Sequence, residues 1–358
     1  MKKRSIKLAV KTGVFILGFC FLFLQFQKVL HYRWNDLYSA NIWLKTQPRG
    51  AYDVLYFGTS ELKASVFPTA IFRYSGVTGF NCSVTNKTAA TMYYQLEYAL
   101  RYQDPKLVCC DFSALYDNNS PSEHETIYRK VVDTLPDRDL QWDMIKNIKK
   151  MDPEQSALSY WFPMLRYHSM WNELSEENFE KDYVYDEEYK VYETGSLLIR
   201  RGEKENFYDI TPEIWEAAPS DEPVSASSAE WYDKFIALCH EKDITVAAVF
   251  IPALGTTQDK VARWETTKAY LESRGVEIID LNTYEAAQNM GFCPSEDLAD
   301  DNTHMFYTGS LRTSLALSRV LTERYGLPDH RGEEETAAQW GAYWEEFCEE
   351  YEVPEDFR

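Results

Sequence analysis

Two stretches of this chain are apolar at nearly every step. Leu107-Val108-Cys109-Cys110 follows Pro105 and Lys106, and Ile244-Thr245-Val246-Ala247-Ala248-Val249-Phe250-Ile251 lies far downstream. A strand wet on one face alternates apolar and polar residues, whereas continuous hydrophobicity marks a strand covered on both faces. Strands of that kind sit in parallel sheets, where the crossover helices cover both sides. The rest of the sequence fits the same frame. Tyr52 to Phe57, Thr78 to Ser83 and Val276 to Leu281 read as three further strands. Helical spacing of apolar residues marks 88–102, 229–242, 257–274 and 308–325, with Gly326 as a stop signal.

The expectation is an α/β chain: a flavodoxin-like three-layer sandwich with a parallel five-stranded sheet in the order 2-1-3-4-5. Residues 50–115 and 228–327 carry this unit. Between them, 116–227 is too long for a structureless loop and reads as a partly helical insertion, a cap over the sheet's active edge. It is rich in aromatics, among them Trp142, Trp161, Tyr167 and Trp171. They fit either a sugar-stacking platform or the packing of a small subdomain. Residues 328–358 form an acidic amphipathic tail. Its Trp340, Tyr343, Trp344, Phe347 and Tyr351 make one apolar stripe, suited to docking a partner or to packing back on its own domain.

Charge is distributed unevenly. Lys2, Lys3, Arg4, Lys7 and Lys11 give the first 11 residues +5, in a chain whose net charge is −20, so the remainder carries −25. Nucleic-acid binding needs clustered positive charge and is disfavoured. After the basic flank, 1–11, comes an apolar run over 12–30 with no small-x-small cleavage site behind it. The expectation is an uncleaved single-pass anchor in the cell membrane, its basic flank cytoplasmic and the −25 body outside. Seven cysteines show no C-x-x-C spacing, so no metal site is expected. Cys109 and Cys110 read as small buried hydrophobes. No cofactor is implied.

Chemistry concentrates at two places. Strand one ends in Gly58-Thr59-Ser60-Glu61, which sets a serine at the carboxyl edge of the sheet. Just before the last helix comes Asp300-Asp301-Asn302-Thr303-His304. A nucleophilic serine needs a base, and the base needs a carboxylate to fix its tautomer. Ser60, His304 and Asp301 supply that set; Asp300 is a second candidate for the carboxylate. Taken singly, a helix-capping serine and an acidic turn explain the two pieces. Glu61 fits either acceptor binding or the first turn of a helix, where negative charge is favourable.

Together the pieces resemble the SGNH (GDSL-type) hydrolase superfamily. The resemblance covers about 50–115 and 228–327 and omits the insertion and tail. It makes Gly58-Thr59-Ser60 the nucleophile block and Asp301 to His304 the last block. The second block places the oxyanion hole after strand two, where Phe80-Asn81-Cys82-Ser83-Val84 stands; Asn81 and Ser83 are the candidates there. The third block, an asparagine after strand three, has no clear match in Asp111 to Asn118. A narrower resemblance joins Leu55-Tyr56-Phe57-Gly58-Thr59-Ser60-Glu61-Leu62 and Phe67-Pro68 to the membrane-anchored DltD and alginate O-acetylation proteins.

That resemblance implies a serine-dependent O-acyltransferase or esterase working through an acyl-enzyme on cell-envelope polymers. It also implies a membrane-bound O-acyltransferase as partner. The negative body favours a neutral polysaccharide acceptor over a teichoic acid. Two rivals stand beside it: a non-catalytic scaffold of the same fold that binds polymer, and a simple carbohydrate esterase.

Overall fold

The computed structural model describes residues 2–30, 35–179, 194–202, 212–215, 219–252, 258–299 and 303–357. Five strands form one parallel sheet: β1 (Val54–Phe57), β2 (Gly79–Asn81), β3 (Leu107–Cys110), β4 (Thr245–Phe250) and β5 (Glu277–Asp280). Their order is β2-β1-β3-β4-β5, as expected, with the reversal between β1 and β3.

Fifteen α-helices are found among the described residues. Before the sheet lie α1 (Lys2–Val29) and α2 (Asn35–Thr46). Through the first half come α3 (Ser60–Ser65), α4 (Pro68–Ser75) and α5 (Ala89–Tyr102). The interruption holds α6 (Glu125–Thr134), α7 (Arg138–Met151), α8 (Ala157–Trp161) and α9 (Met164–Tyr167). The second half adds α10 (Ala226–His240), α11 (Gln258–Glu272), α12 (Tyr284–Met290), α13 (Pro294–Asp297) and α14 (Tyr307–Glu323), and α15 (Glu334–Glu350) forms the tail.

Successive strand residues point to opposite faces, and the two cores divide that way. Leu55, Phe57, Val108, Cys110, Val246 and Ala248 join one core with α2, α5 and α10. Val54, Tyr56, Leu107, Cys109, Ala247 and Val249 join the other with α3 and α14. Cys109 and Cys110 are both fully buried, one in each core. In the interruption, α6 and α7 add Tyr128, Val131, Met144 and Ile148 to the first core. The tail packs on its own domain: Trp344, Phe347 and Tyr351 are buried against Phe67, Tyr307 and Leu311.

Within α1, Ile6–Val29 has a mean hydropathy of 1.9 and is long and apolar enough to cross a membrane.

Candidate active site

Strand β1 stops at Gly58 for a steric reason. A Cβ there would collide with Leu62 of α3 and with the Asp111 carboxylate. The glycine lets the chain turn tightly enough to start α3 at Ser60, at the carboxyl edge of the sheet, where open α/β sheets bind ligands. The turn is held from β3. Asp111 Oδ2 accepts the Thr59 N–H at 2.6 Å and the Thr59 hydroxyl at 3.2 Å. Its other oxygen accepts the Ser113 N–H at 3.0 Å.

Phe112, between them, has φ of 48°, which a bulky side chain rarely adopts. Such a backbone costs about 1–3 kcal/mol and persists only where its surroundings enforce it. Here the ring is fully buried against Tyr232 and Phe235. The bend turns Asp111 back onto the Thr59 turn.

His304 arrives from the far end of the chain. The loop carrying it is closed at its base, where Leu298 and Met305 form an antiparallel bridge and Ala299 N–H donates to the His304 carbonyl at 2.9 Å. Phe306 bridges to Ile199, and Leu197 N–H donates to the Lys63 carbonyl of α3. Residues 194–199 therefore tie the helix of Ser60 to the segment of His304. His304 Nε2 lies 2.8 Å from Ser60 Oγ, across 244 residues of sequence. Either partner can donate at that distance; a serine hydroxyl donating to Nε2 requires the ring proton on Nδ1. Nδ1 lies 3.4 Å from Thr303 Oγ1. Asp301, with Asp300 and Asn302, lies outside the described residues.

Asn81 and Ser83 are placed differently from the expectation that they line an oxyanion hole. Asn81 is buried, and its amide donates to the Val66 carbonyl at 2.9 Å. Its Oδ1 accepts the Ser83 N–H at 3.1 Å, and its own N–H donates to Thr194 O at 2.8 Å. Cys82 N–H goes to Tyr56 O and Val84 N–H to Gly58 O. The backbone donors of the turn after β2 are thus spent on the fold, while Ser83 Oγ is buried with no hydrogen-bond partner among the described residues. Asn86, three residues beyond Ser83, is exposed at φ of 54° and lines the same cavity as Ser60. The Ser60 N–H, at the first position of α3, is among the donors a helix leaves unpaired.

The cavity beside Ser60 has a volume of about 300 Å³. Its walls include Phe250, Trp264 and Tyr116, with Glu61, Asp111 and Asp117 as carboxylates. Among the described insertion residues, Tyr116 and Asp117 reach it. Arg263 also lines it, but its guanidinium pairs with Glu222 at 2.6 Å and lies over the Tyr116 ring. Behind Asp111 sits Lys87, whose buried Nζ has no hydrogen-bond partner among the described residues. Burial pushes its pKa down to about 8, against the attraction of Asp111.

Two of these features went unread in the sequence. Asn86 carried one usable signal, since asparagine tolerates a left-handed backbone. Asp111 carried another, an acid directly after a doubly buried strand.

No protein-family model matches the chain, and no curated protein matches it in sequence. Among solved structures it is similar to a provisionally assigned acylhydrolase of Bacteroides fragilis. The identity is 10% and the TM-score 0.38, over 82% of this chain and 99% of the other. It is also similar to a gut microbial diltiazem-metabolizing enzyme, at 10% identity and TM-score 0.32, over 76% of this chain and 47% of the other. Likeness this distant carries no functional weight.

Proposed function

We propose that this chain is an SGNH-type serine O-acyltransferase or esterase, anchored by α1 with its body outside the cell membrane. The observation that carries the reading is the 2.8 Å contact between Ser60 Oγ and His304 Nε2 at the carboxyl edge of the sheet. Nucleophile and base within hydrogen-bond reach, beside an open cavity, is the arrangement acyl transfer requires.

In the proposed reaction His304 takes the Ser60 proton as Ser60 Oγ bonds to the acyl carbonyl carbon. Charge moves onto the carbonyl oxygen, where the Ser60 N–H and Asn86 stabilise it. Collapse expels the leaving alkoxide, which takes the proton from His304 and leaves Ser60 acylated. An acceptor hydroxyl then gives its proton to His304 as its oxygen bonds to the acyl carbon, and collapse expels Ser60 Oγ, which takes that proton back from His304. Asp301 orients the imidazole in this scheme.

Several features support a neutral polymer acceptor, a polysaccharide rather than a teichoic acid. Among the described residues the cavity pairs aromatic walls with three carboxylates, and the one cation lining it is engaged with Glu222. A polyanion meets repulsion there, whereas sugar hydroxyls find acceptors and ring faces. A membrane-bound O-acyltransferase as acyl supplier belongs to the same proposal.

A fluorophosphonate probe tests the core of it. Ser60 Oγ should displace fluoride and become labelled, and Ser60→Ala and His304→Ala should each lower labelling at least about 10³-fold. Unlabelled Ser60 in protein shown to be folded would leave a non-catalytic scaffold as the better reading. With an acyl donor and polysaccharide present, an acylated polymer indicates transfer; free acid alone indicates an esterase.

A further inference from the structure

Outside α1, seven large hydrophobic side chains are exposed among the described residues, and five of them fall between positions 142 and 171. They are Trp142, Leu158, Phe162, Leu165 and Trp171, with Leu158 61% and Trp171 70% exposed. Exposed apolar residues scattered singly need no explanation, but a patch does.

This patch adjoins the apolar helix. The Phe162 ring packs edge-on against Phe23 of α1 at 5.4 Å, and the Met164 N–H donates to Gln27 Oε1 at 2.6 Å. Phe23 precedes the end of the apolar span, Val29, by six residues, or about 9 Å along a helix axis. A side chain packed on Phe23 therefore sits at bilayer depth if α1 spans. The Met164 contact falls nearer the boundary, since Gln27 precedes Val29 by two residues, or about 3 Å along the axis.

Between α1 and the patch lies a cavity of about 610 Å³. Lys28 and Arg138 line it against Asp133, with Trp161 and Phe162 as apolar wall. Nearby, the Lys146 ammonium lies 5.4 Å from the Trp142 ring centre. Tryptophans beside cations, next to bare leucines, are the composition of a membrane–water boundary.

We propose that α8, α9 and the turn through Trp171 enter the bilayer on the body's side, and that the cavity beside α1 receives a phospholipid headgroup. The body is then held against the membrane by two surfaces, the anchor and this patch. The proposal rests on the reading of α1 as an anchor, and the experiment separates the two.

The full chain is reconstituted in nanodiscs of phosphatidylethanolamine and phosphatidylglycerol. A benzophenone amino acid replaces Phe19, Leu158, Trp171 or Tyr284 in turn, and adducts are read by mass spectrometry after irradiation. Tyr284 is an exposed hydrophobic residue outside the patch. Circular dichroism and the thermal transition confirm that each variant is folded. Lipid adducts are expected at 19, 158 and 171, and none at 284. Adducts at 19 without any at 158 and 171 overturn the patch and leave the anchor standing. So does a cross-link to a second copy at 158 or 171 in place of lipid. Adducts at 158 and 171 without any at 19 keep the patch and refute the anchor.

Discussion

At the scale of single residues, the environment of Ser60 is built by neighbours that do not react. Asp111 carries no obvious motif, yet it accepts from Thr59 twice and so sets the angle at which α3 begins. In the proposed mechanism Asn86, which lines the same cavity as Ser60, stands in for the committed N–H groups of the Asn81–Ser83 turn. Removing one oxyanion donor costs about 10²–10³ in turnover. Asn86→Ala should therefore lower the acylation rate by about that factor while leaving the thermal midpoint within a degree or two of the parent. An unchanged rate would remove Asn86 from the site.

Lys87 gives a prediction of another kind. Its folded pKa of about 8 lies below the ordinary 10.5 because burial disfavours the ammonium. Between those values the unfolded chain binds more protons, so stability rises with pH across that window. Below it the burden is present in full, with an upper bound of about 3–4 kcal/mol from about 1.4 kcal/mol per pKa unit. Lys87→Met removes the charge at similar volume. The variant should gain stability at pH 7 and gain clearly less at pH 10, read from denaturant midpoints. Equal gains at both would mean that packing, not charge, is responsible.

At the scale of elements, what the sequence made legible was whatever depends on burial alone. Continuous hydrophobicity marked β3 and β4, and 3.6-residue spacing placed α5, α10, α11 and α14 within a few residues of their ends. The strand order was expected from the flavodoxin-like class and is the one found. The Ser60–His304 pairing was legible because both residues flank elements whose positions were already fixed by burial. The direction of an N–H is a different kind of fact. The donors of the turn after β2 are set by Asn81 curling back on Ser83 and by the approach of Thr194, and neither leaves a hydropathy trace. The segment 194–199 was illegible for the same reason, since it works through backbone pairing.

The tail shows that a legible stripe can leave its partner open. Phe347 is fully buried, 5.0 Å from the Phe67 ring, and Phe67 N–H donates to Ser314 Oγ of α14. Phe67 directly precedes α4 and follows the helix of Ser60, so the tail braces the two segments that carry Ser60 and His304. Phe347→Ala should cost about 3–5 kcal/mol in unfolding free energy. A loss below about 1 kcal/mol would show that α15 contributes little to holding the domain.

At the scale of the whole molecule, one histidine ties the tail to the start of the sheet. His330 Nε2 lies 2.7 Å from Asp53 Oδ2, and its Nδ1 lies 2.6 Å from Glu333 Oε1. Both ring nitrogens face carboxylates, so the ring serves both only as a donor on each side, which is the imidazolium. Lys106 Nζ shares Asp53 from the other oxygen at 2.8 Å, and Asp329 adds negative charge nearby. The clamp is backed by the main chain, where His330 N–H donates to Gly76 O at 3.0 Å. Gly76 is required there, because a Cβ would strike Asp329 and its φ is 75°.

Burial alone would lower the His330 pKa, but the bonds to Glu333 and Asp53 outweigh it and hold the value above the ordinary 6.5. A folded pKa raised in this way stabilises the protein fully below the unfolded value. That stabilisation is lost as pH climbs through the folded value. The thermal midpoint of the parent should therefore fall as pH rises above 6.5, and the fall should be absent from His330→Gln, which keeps a hydrogen-bonding side chain without the titration. Subtracting the two curves isolates this term from Lys87, whose contribution runs in the opposite sense and begins near pH 8. Parallel curves through the whole range would show that the clamp does not titrate, and that the tail is held by its aromatic stripe and main-chain bonds instead.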